Sequence, residues 1–173
     1  MPASPAVVVA KPSRRAVSSR APSVRPATTT SAAADDRAAI AALITEYAER
    51  IDTGDLPGLA ALFADATYRS AQGGLYRGAD AVREVLERLV ILYDGVPRTK
   101  HVTTNLVVDL AGDTATARSY FTVLQAVDGL SLQPIVAGRY HDAFARVGGA
   151  WRFTDRLIFM DLVGELGFHL RSS

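Results

Sequence analysis

At Pro97 the apolar pattern of this chain changes period from 3.6 residues to 2, and few folds accommodate that order. Upstream, Ile40, Leu43, Ile44, Tyr47 and Ile51 recur at helical spacing and make one apolar stripe. Asp35, just ahead of the stripe, is the expected N-cap, its carboxylate meeting free backbone N–H groups. Asp52-Thr53-Gly54-Asp55 breaks that helix. A short second helix is expected next, with Pro57 in its first turn and Leu59, Leu62 and Phe63 inward. Tyr68 is placed on a brief strand and Gln72-Gly73-Gly74 turns the chain. A third helix is predicted from about Asp80 to Tyr93, burying Val82, Val85, Leu86 and Leu89 and exposing Arg83, Glu84, Glu87 and Arg88 in i,i+4 pairs. Downstream, alternation predicts strands over about 100–110, 114–127, 134–147 and 150–161. They are joined at Ala111-Gly112-Asp113, Asp128-Gly129 and Gly148-Gly149, where glycine suits a tight connection. Helices first and an antiparallel meander afterwards make an α+β domain, its helices packed on one face of the sheet.

That domain is read as residues 35–173. The first 34 residues are rich in Pro, Ser, Ala, Thr and Arg, without an acid or an aromatic residue. Their only apolar cluster is Val7-Val8-Val9. Such a segment buries too little surface to offset its ordering entropy, so a disordered basic tail is expected. The Val cluster is too short for a secretory signal, and polar Ser18 and Ser19 follow Arg14-Arg15 where a twin-arginine signal needs apolar residues. An organelle transit peptide fits the composition better, but an unstructured extension on a cytoplasmic protein is the reading adopted. The formal net charge of +1 conceals five basic residues in this tail, which leaves 14 basic and 18 acidic residues in the domain. A mildly acidic domain argues against nucleic-acid binding. Cysteine is absent, which excludes thiolate chemistry and cysteine metal sites. No apolar run approaches the roughly 18 residues of a membrane span.

Candidate chemistry concentrates at two places. His101 opens the first long strand, and strict alternation puts His101, Thr103, Asn105, Val107 and Asp109 on one face. On the next strand Ala117, Phe121, Val123 and Gln125 share a face, so Gln125 interrupts an apolar surface. A polar group there needs a partner or costs roughly 1–3 kcal/mol, and a pocket with a ligand or water would supply one. Asp52 stands where the first helix ends, two residues before Gly54; its bland alternative is a turn-forming aspartate.

Three stretches of the domain resemble the nuclear transport factor 2-like superfamily, and within it the SnoaL-like group of polyketide cyclases, scytalone dehydratase and hexachlorocyclohexane dehydrochlorinase. They are Tyr47-Ala48-Glu49-Arg50-Ile51-Asp52 with Leu59-Ala60-Ala61-Leu62-Phe63, then Lys100-His101-Val102-Thr103-Thr104-Asn105, and Gly138-Arg139-Tyr140-His141-Asp142 leading to Trp151-Arg152-Phe153-Thr154-Asp155-Arg156. The resemblance spans essentially all of 35–173. It implies a cone-shaped barrel of curved, mostly antiparallel sheet, with three N-terminal helices closing a pocket. It also implies that Asp52 pairs with a catalytic His101, that Arg156 is an active-site cation (its plainer alternative is a surface or ion-pair arginine), and that Tyr68 lies near a substrate-polarising tyrosine. Tyr47, Tyr68, Asn105, Phe121 and Gln125 are the expected substrate contacts. The chain departs from the dehydratase in having Gln125 near the position of a second histidine and Ile51 in place of a tyrosine.

A neutral imidazole, with a reference pKa near 6.5, is a natural proton acceptor close to neutral pH. A carboxylate on one ring nitrogen fixes the tautomer and aims the other lone pair at a substrate. The expected function is therefore a cofactor-independent lyase, cyclase or isomerase acting on a hydrophobic, oxygenated small molecule of polyketide or terpenoid type. The alternative is a non-catalytic small-molecule-binding or subunit-assembly module of the same fold. No metal site is expected, because His141 and His169 lack ligand spacing with His101. His141-Asp142 is placed on the outward part of its strand and Trp151 in the core. The apolar end, Leu157-Ile158-Phe159-Met160 with Leu162, Val163, Leu166, Phe168 and Leu170, is read as pocket closure plus the interface of a homo-oligomer, dimer or trimer.

Overall fold

The computed structural model of the protein describes residues 28–171, and residues 1–27 of the expected tail lie outside the described residues. Three helices, α1 (Thr28–Thr53), α2 (Leu56–Ala61) and α3 (Gly78–Leu89), accompany six strands. These are β1 (Thr67–Ser70), β2 (Leu75–Arg77), β3 (Thr99–Ala111), β4 (Thr114–Val127), β5 (Leu130–Val147) and β6 (Ala150–Val163). They form one sheet in the order β2-β1-β6-β5-β4-β3. Every pairing is antiparallel except β1 with β6. The sheet is curved and unclosed, with the helices over its concave face, as the α+β reading requires.

Curvature comes from broken register. Irregularities fall between Thr104 and Val107 on β3, at Val123/Leu124 and Gln125/Val127 on β4, and at Ala137/Gly138 and Ala143/Phe144 on β5. Each such irregularity bends its strand and increases local twist. Ile40, Ile44, Leu59, Phe63 and Val82 from the helices meet Phe121, Phe144 and Phe153 from the sheet in one apolar core.

Two helix boundaries differ from the sequence reading. α1 begins seven residues before Asp35, so Asp35 is not its N-cap and the expected boundary at residue 34 falls inside a helix. Asp36 instead accepts from Trp151 Nε1 at 3.1 Å and pairs with Arg146 at 2.6 Å, tying α1 to the β5–β6 hairpin. α3 stops at Leu89 rather than Tyr93, because Val90 turns extended and bridges to Leu170. Arg171 Nη1 donates to the carbonyls of Glu87, Arg88 and Val90, capping that helix end.

The end of α1 is set by Gly54. Asp55 N–H donates to Arg50 O and Gly54 N–H to Ile51 O, the paired bonds of a Schellman motif. Gly54 has a φ of +78°, and a Cβ there would stand 2.0 Å from Gly95 O. The motif ends α1 one residue after Asp52 and fixes where its carboxylate points. Gly54→Ala should therefore destabilise the domain by more than about 1 kcal/mol, since it adds a clash to a left-handed backbone. Thermal or urea unfolding reads this directly; an unchanged midpoint would refute it.

Candidate active site

A cavity of about 380 Å³ lies between the helices and the concave face of the sheet. That volume falls within the range of small-molecule sites. Its walls are largely apolar and aromatic, including Tyr47, Tyr68, Tyr76, Phe121, Val123, Tyr140, Ile158 and Met160. His101 and His169 both face it, and no Asp or Glu is among its described lining residues.

Asp52 stands behind His101 and takes three hydrogen bonds, all from β3. Its Oδ1 accepts from Thr99 Oγ1 at 2.8 Å and from His101 Nδ1 at 2.6 Å, and its Oδ2 from the His101 backbone N–H at 2.8 Å. The side chains of His101 and Asp52 are 6% and 8% exposed, so the pair is screened from bulk water. Burial pushes the Asp52 carboxyl up, but the His101 ring, the His101 N–H and the Thr99 hydroxyl outweigh it and hold the group below the usual carboxylate range. An ionised carboxylate only accepts, so Nδ1 carries a proton, and in the neutral form of the ring the lone pair is on Nε2.

Tyr47 and Tyr68 join their hydroxyls at 3.0 Å. Burial pushes both phenols up, Tyr68 well above its ordinary value, and Tyr140 likewise. These groups stay neutral. Of the two phenol protons in the Tyr47–Tyr68 pair, one is used within the pair and one remains to be offered.

Arg156 is fully buried and does not line the cavity. It grips Asp142 through Nε–Oδ1 at 2.8 Å and Nη2–Oδ2 at 2.7 Å. Its guanidinium carbon lies 4.1 Å from the ring centroids of both Tyr47 and Tyr140. Burial by itself would lower the Arg156 pKa, but the Asp142 carboxylate reverses that and keeps the cation charged. Nη1 has no hydrogen-bond partner, and the electron-rich ring faces are its compensation. Asp142 is correspondingly buried rather than outward, because only its neighbour His141 takes the outer side of β5.

Two expected contacts lie elsewhere. Asn105 sits at the break in β3 register with a φ of +53°, and it is exposed beside Val107, Arg118, Tyr120 and His141 on the outer face. The irregularity reverses the inside–outside phase of β3, so Thr99, His101 and Thr103 face in but Val108 and Leu110 replace Asn105 and Val107. Gln125 is buried as expected but is not among the cavity's lining residues; its Nε2 donates at 3.0 Å to Pro97 O and Phe168 O, and its Oε1 has no partner among the described residues.

His169 was passed over for want of metal-ligand spacing. It reaches the cavity because the last segment folds back: Ile91 N–H donates to His169 O and Arg171 N–H to Leu89 O. A short Leu166–Leu170 apolar run with one histidine is a weak signal of closure in sequence, and no local period announces it.

The family model of the SnoaL-like domain matches residues 32–157, and the chain belongs to that family. No curated protein matches it in sequence. Among solved structures, a nuclear transport factor 2-like protein with a cystatin-like fold from Novosphingobium aromaticivorans is 23% identical with a TM-score of 0.67, over 78% of this chain and 87% of that one. A candidate scytalone dehydratase from the same organism is 24% identical with a TM-score of 0.64, over 77% and 89%. The beta subunit of a candidate aromatic-ring-hydroxylating dioxygenase, also from that organism, is 20% identical with a TM-score of 0.64, over 76% and 93%. These likenesses show the fold, which is the curved-sheet cone the resemblance implies. No helix among the described residues is long and apolar enough to cross a membrane.

Two predictions follow from the buried charges. Asp142→Asn leaves Arg156 an uncompensated buried cation, so urea unfolding should show a loss of about 3–5 kcal/mol; a loss below about 1 kcal/mol would refute the account. The second concerns acid stability. Burial, with the nearby His101 adding to it, lowers the His169 pKa to about 4, whereas the unfolded chain titrates near 6.5. Between these values the unfolded state binds more protons, so stability falls as pH drops from about 6.5 to about 4, by about 3 kcal/mol in all. Asp52, held low, adds its own loss only below about pH 4. His169→Phe should flatten the upper window and leave the lower one; an unchanged slope from 6.5 to 4 would contradict the assignment.

Proposed function

We propose that the domain is a cofactor-independent enzyme in which the Asp52–His101 pair abstracts a proton from carbon beside a carbonyl of a hydrophobic, oxygenated small molecule. The observation that carries this reading is the 2.6 Å contact between Asp52 Oδ1 and His101 Nδ1, desolvated and backing onto an apolar cavity. In the proposed step His101 Nε2 takes the proton. The C–H electron pair becomes the C=C bond of an enolate, and the carbonyl π pair moves to oxygen. In an elimination the carbonyl then re-forms, a β-hydroxyl leaves, and the imidazolium returns its proton to that hydroxyl, so water departs and the base is regenerated. Asp52 stabilises the imidazolium throughout. The spare phenol proton of Tyr47–Tyr68 is suited to the developing oxyanion. Arg156 acts here as a positioning residue, holding the rings of Tyr47 and Tyr140 rather than touching substrate. Dehydration or cyclisation of a polyketide- or terpenoid-like molecule is the reaction class this supports.

A second reading, a subunit-assembly module, has an observation of its own. Val102, Leu106 and Val107 on β3, Tyr120 on β4 and Leu162 and Val163 at the end of β6 are exposed. Apolar residues in that number suit a protein partner, and self-association into a dimer or trimer serves the enzyme reading equally well.

A probe ketone separates the two. For 2-tetralone in D₂O, the protein should speed exchange of the protons beside the carbonyl above the buffer rate, followed by NMR. Asp52→Asn and His101→Ala should each remove about 10²–10⁴-fold of that acceleration. Exchange unaffected by either substitution would sink the enzyme reading.

A further inference from the structure

His169 has no part in the step described so far, yet it is placed as if it had one. The residue is 4% exposed and lines the same cavity as His101. Their ring centroids are 6.1 Å apart with the planes inclined at 62°. Its Nδ1 is buried and has no hydrogen-bond partner among the described residues. A histidine kept only for packing would be replaced at no loss by Phe or Leu, because an unpartnered buried nitrogen destabilises the fold. No described residue meets that group, and a ligand in the cavity would.

The backbone holds this ring in place from both sides. His169 N–H donates to Leu166 O at 2.8 Å, Ile91 N–H donates to His169 O at 2.9 Å, and Val90 bridges Leu170. The preceding carbonyl, Phe168 O, accepts from both Tyr93 Oη and Gln125 Nε2. Gln125 thus secures the segment that carries the second imidazole. Charge at the site favours a neutral ring: His101 faces it, Arg88 and Arg171 line the same cavity, and among the described residues Asp52 behind His101 opposes them. A neutral imidazole always carries one N–H.

We infer that His169 donates a hydrogen bond to the substrate oxygen while His101 takes the neighbouring proton, so that the substrate carries the acidic C–H and the oxygen on adjacent carbons. This rests on the proton-abstraction reading for its chemistry. A ketone is the class that meets the geometry, since its α-carbon and its oxygen stand two bonds apart and both rings, with centroids 6.1 Å apart, are reached from the one cavity. The atoms balance as before: the proton goes to His101, the electron pair to oxygen, and His169 keeps its proton while sharing it.

The test uses the full chain, with 2-tetralone for turnover and 2-naphthol, a stable aromatic enol, for binding. His169→Phe should lower maximal exchange of 2-tetralone by about 10- to 100-fold and weaken 2-naphthol by about 10-fold. His169→Gln, which restores an N–H donor, should recover part of both. The midpoint of the pH–rate profile should stay where it is, since the base is untouched. In the wild-type protein, 2-naphthol should also shift the ring nitrogen resonances of His169. Phe and Gln variants alike in turnover and binding, turnover and binding unchanged in His169→Phe, or His169 resonances unmoved by 2-naphthol would each overturn the inference. Binding of 2-naphthol needs no proton abstraction, so it reports on His169 even where Asp52→Asn and His101→Ala leave exchange unaltered.

Discussion

The arrangement depends on one carboxylate sewn between two elements that share no other polar bond at that point. Asp52 lies at the C-terminal end of α1, where the helix dipole disfavours an anion by about 0.3–1 kcal/mol. Burial adds to that penalty. Three donors from the start of β3 offset both. The same three bonds dock the first helix onto the sheet edge and hold the His101 ring, so the clamp between helix and sheet also orients the imidazole. Moving the helix end by one residue would swing the carboxylate through about 100° and break all three bonds. Gly54 prevents that shift, and this gives a backbone feature direct authority over the chemistry.

A second layer lies under the aromatic wall. A buried Arg–Asp pair seldom adds net stability, because desolvation of two ions rivals their attraction. Arg156 and Asp142 nonetheless occupy the centre of the domain, spanning β6 and β5 beneath Tyr47 and Tyr140. A methionine–leucine pair would fill the volume but would leave the rings free to rock. The bidentate grip fixes the guanidinium plane, and the ring faces follow it. Specificity of position, not stability, is the physical gain, and the Tyr47–Tyr68 hydroxyl pair inherits it.

Much of this was legible in the sequence. The change of period at Pro97 gave the α+β order, Asp-Thr-Gly-Asp gave the end of α1, and the pairing of Asp52 with His101 followed from the family resemblance. What resisted reading was non-local. Alternation put Asn105 inward because it assumes an unbroken strand, and the β3 irregularity past Thr104 reversed the phase. Gln125 was recognised as a polar group on an apolar face, but its partners are carbonyls 28 and 43 residues away along the chain. The early start of α1 was hidden because Thr28–Ala34 has no apolar stripe and reads as tail. His169 failed for the same reason as Gln125: a lone histidine near a chain end acquires meaning only once the segment returns to Ile91 and Leu89.

These interactions also determine how charge is distributed when a proton moves. With no Asp or Glu among the described residues of the cavity wall, an anion forming on a bound molecule meets no side-chain carboxylate there. The phenols are held neutral by burial, and His169 by burial and by the ring facing it. When His101 gains a proton, the added positive charge makes protonation of His169 still less favourable, so the two rings never compete for the same proton. The countercharge for the imidazolium is already in place at 2.6 Å and needs no reorganisation. Asymmetry between the two imidazoles thus reduces to one difference: His101 has Asp52 behind it, and His169 Nδ1 has no partner among the described residues.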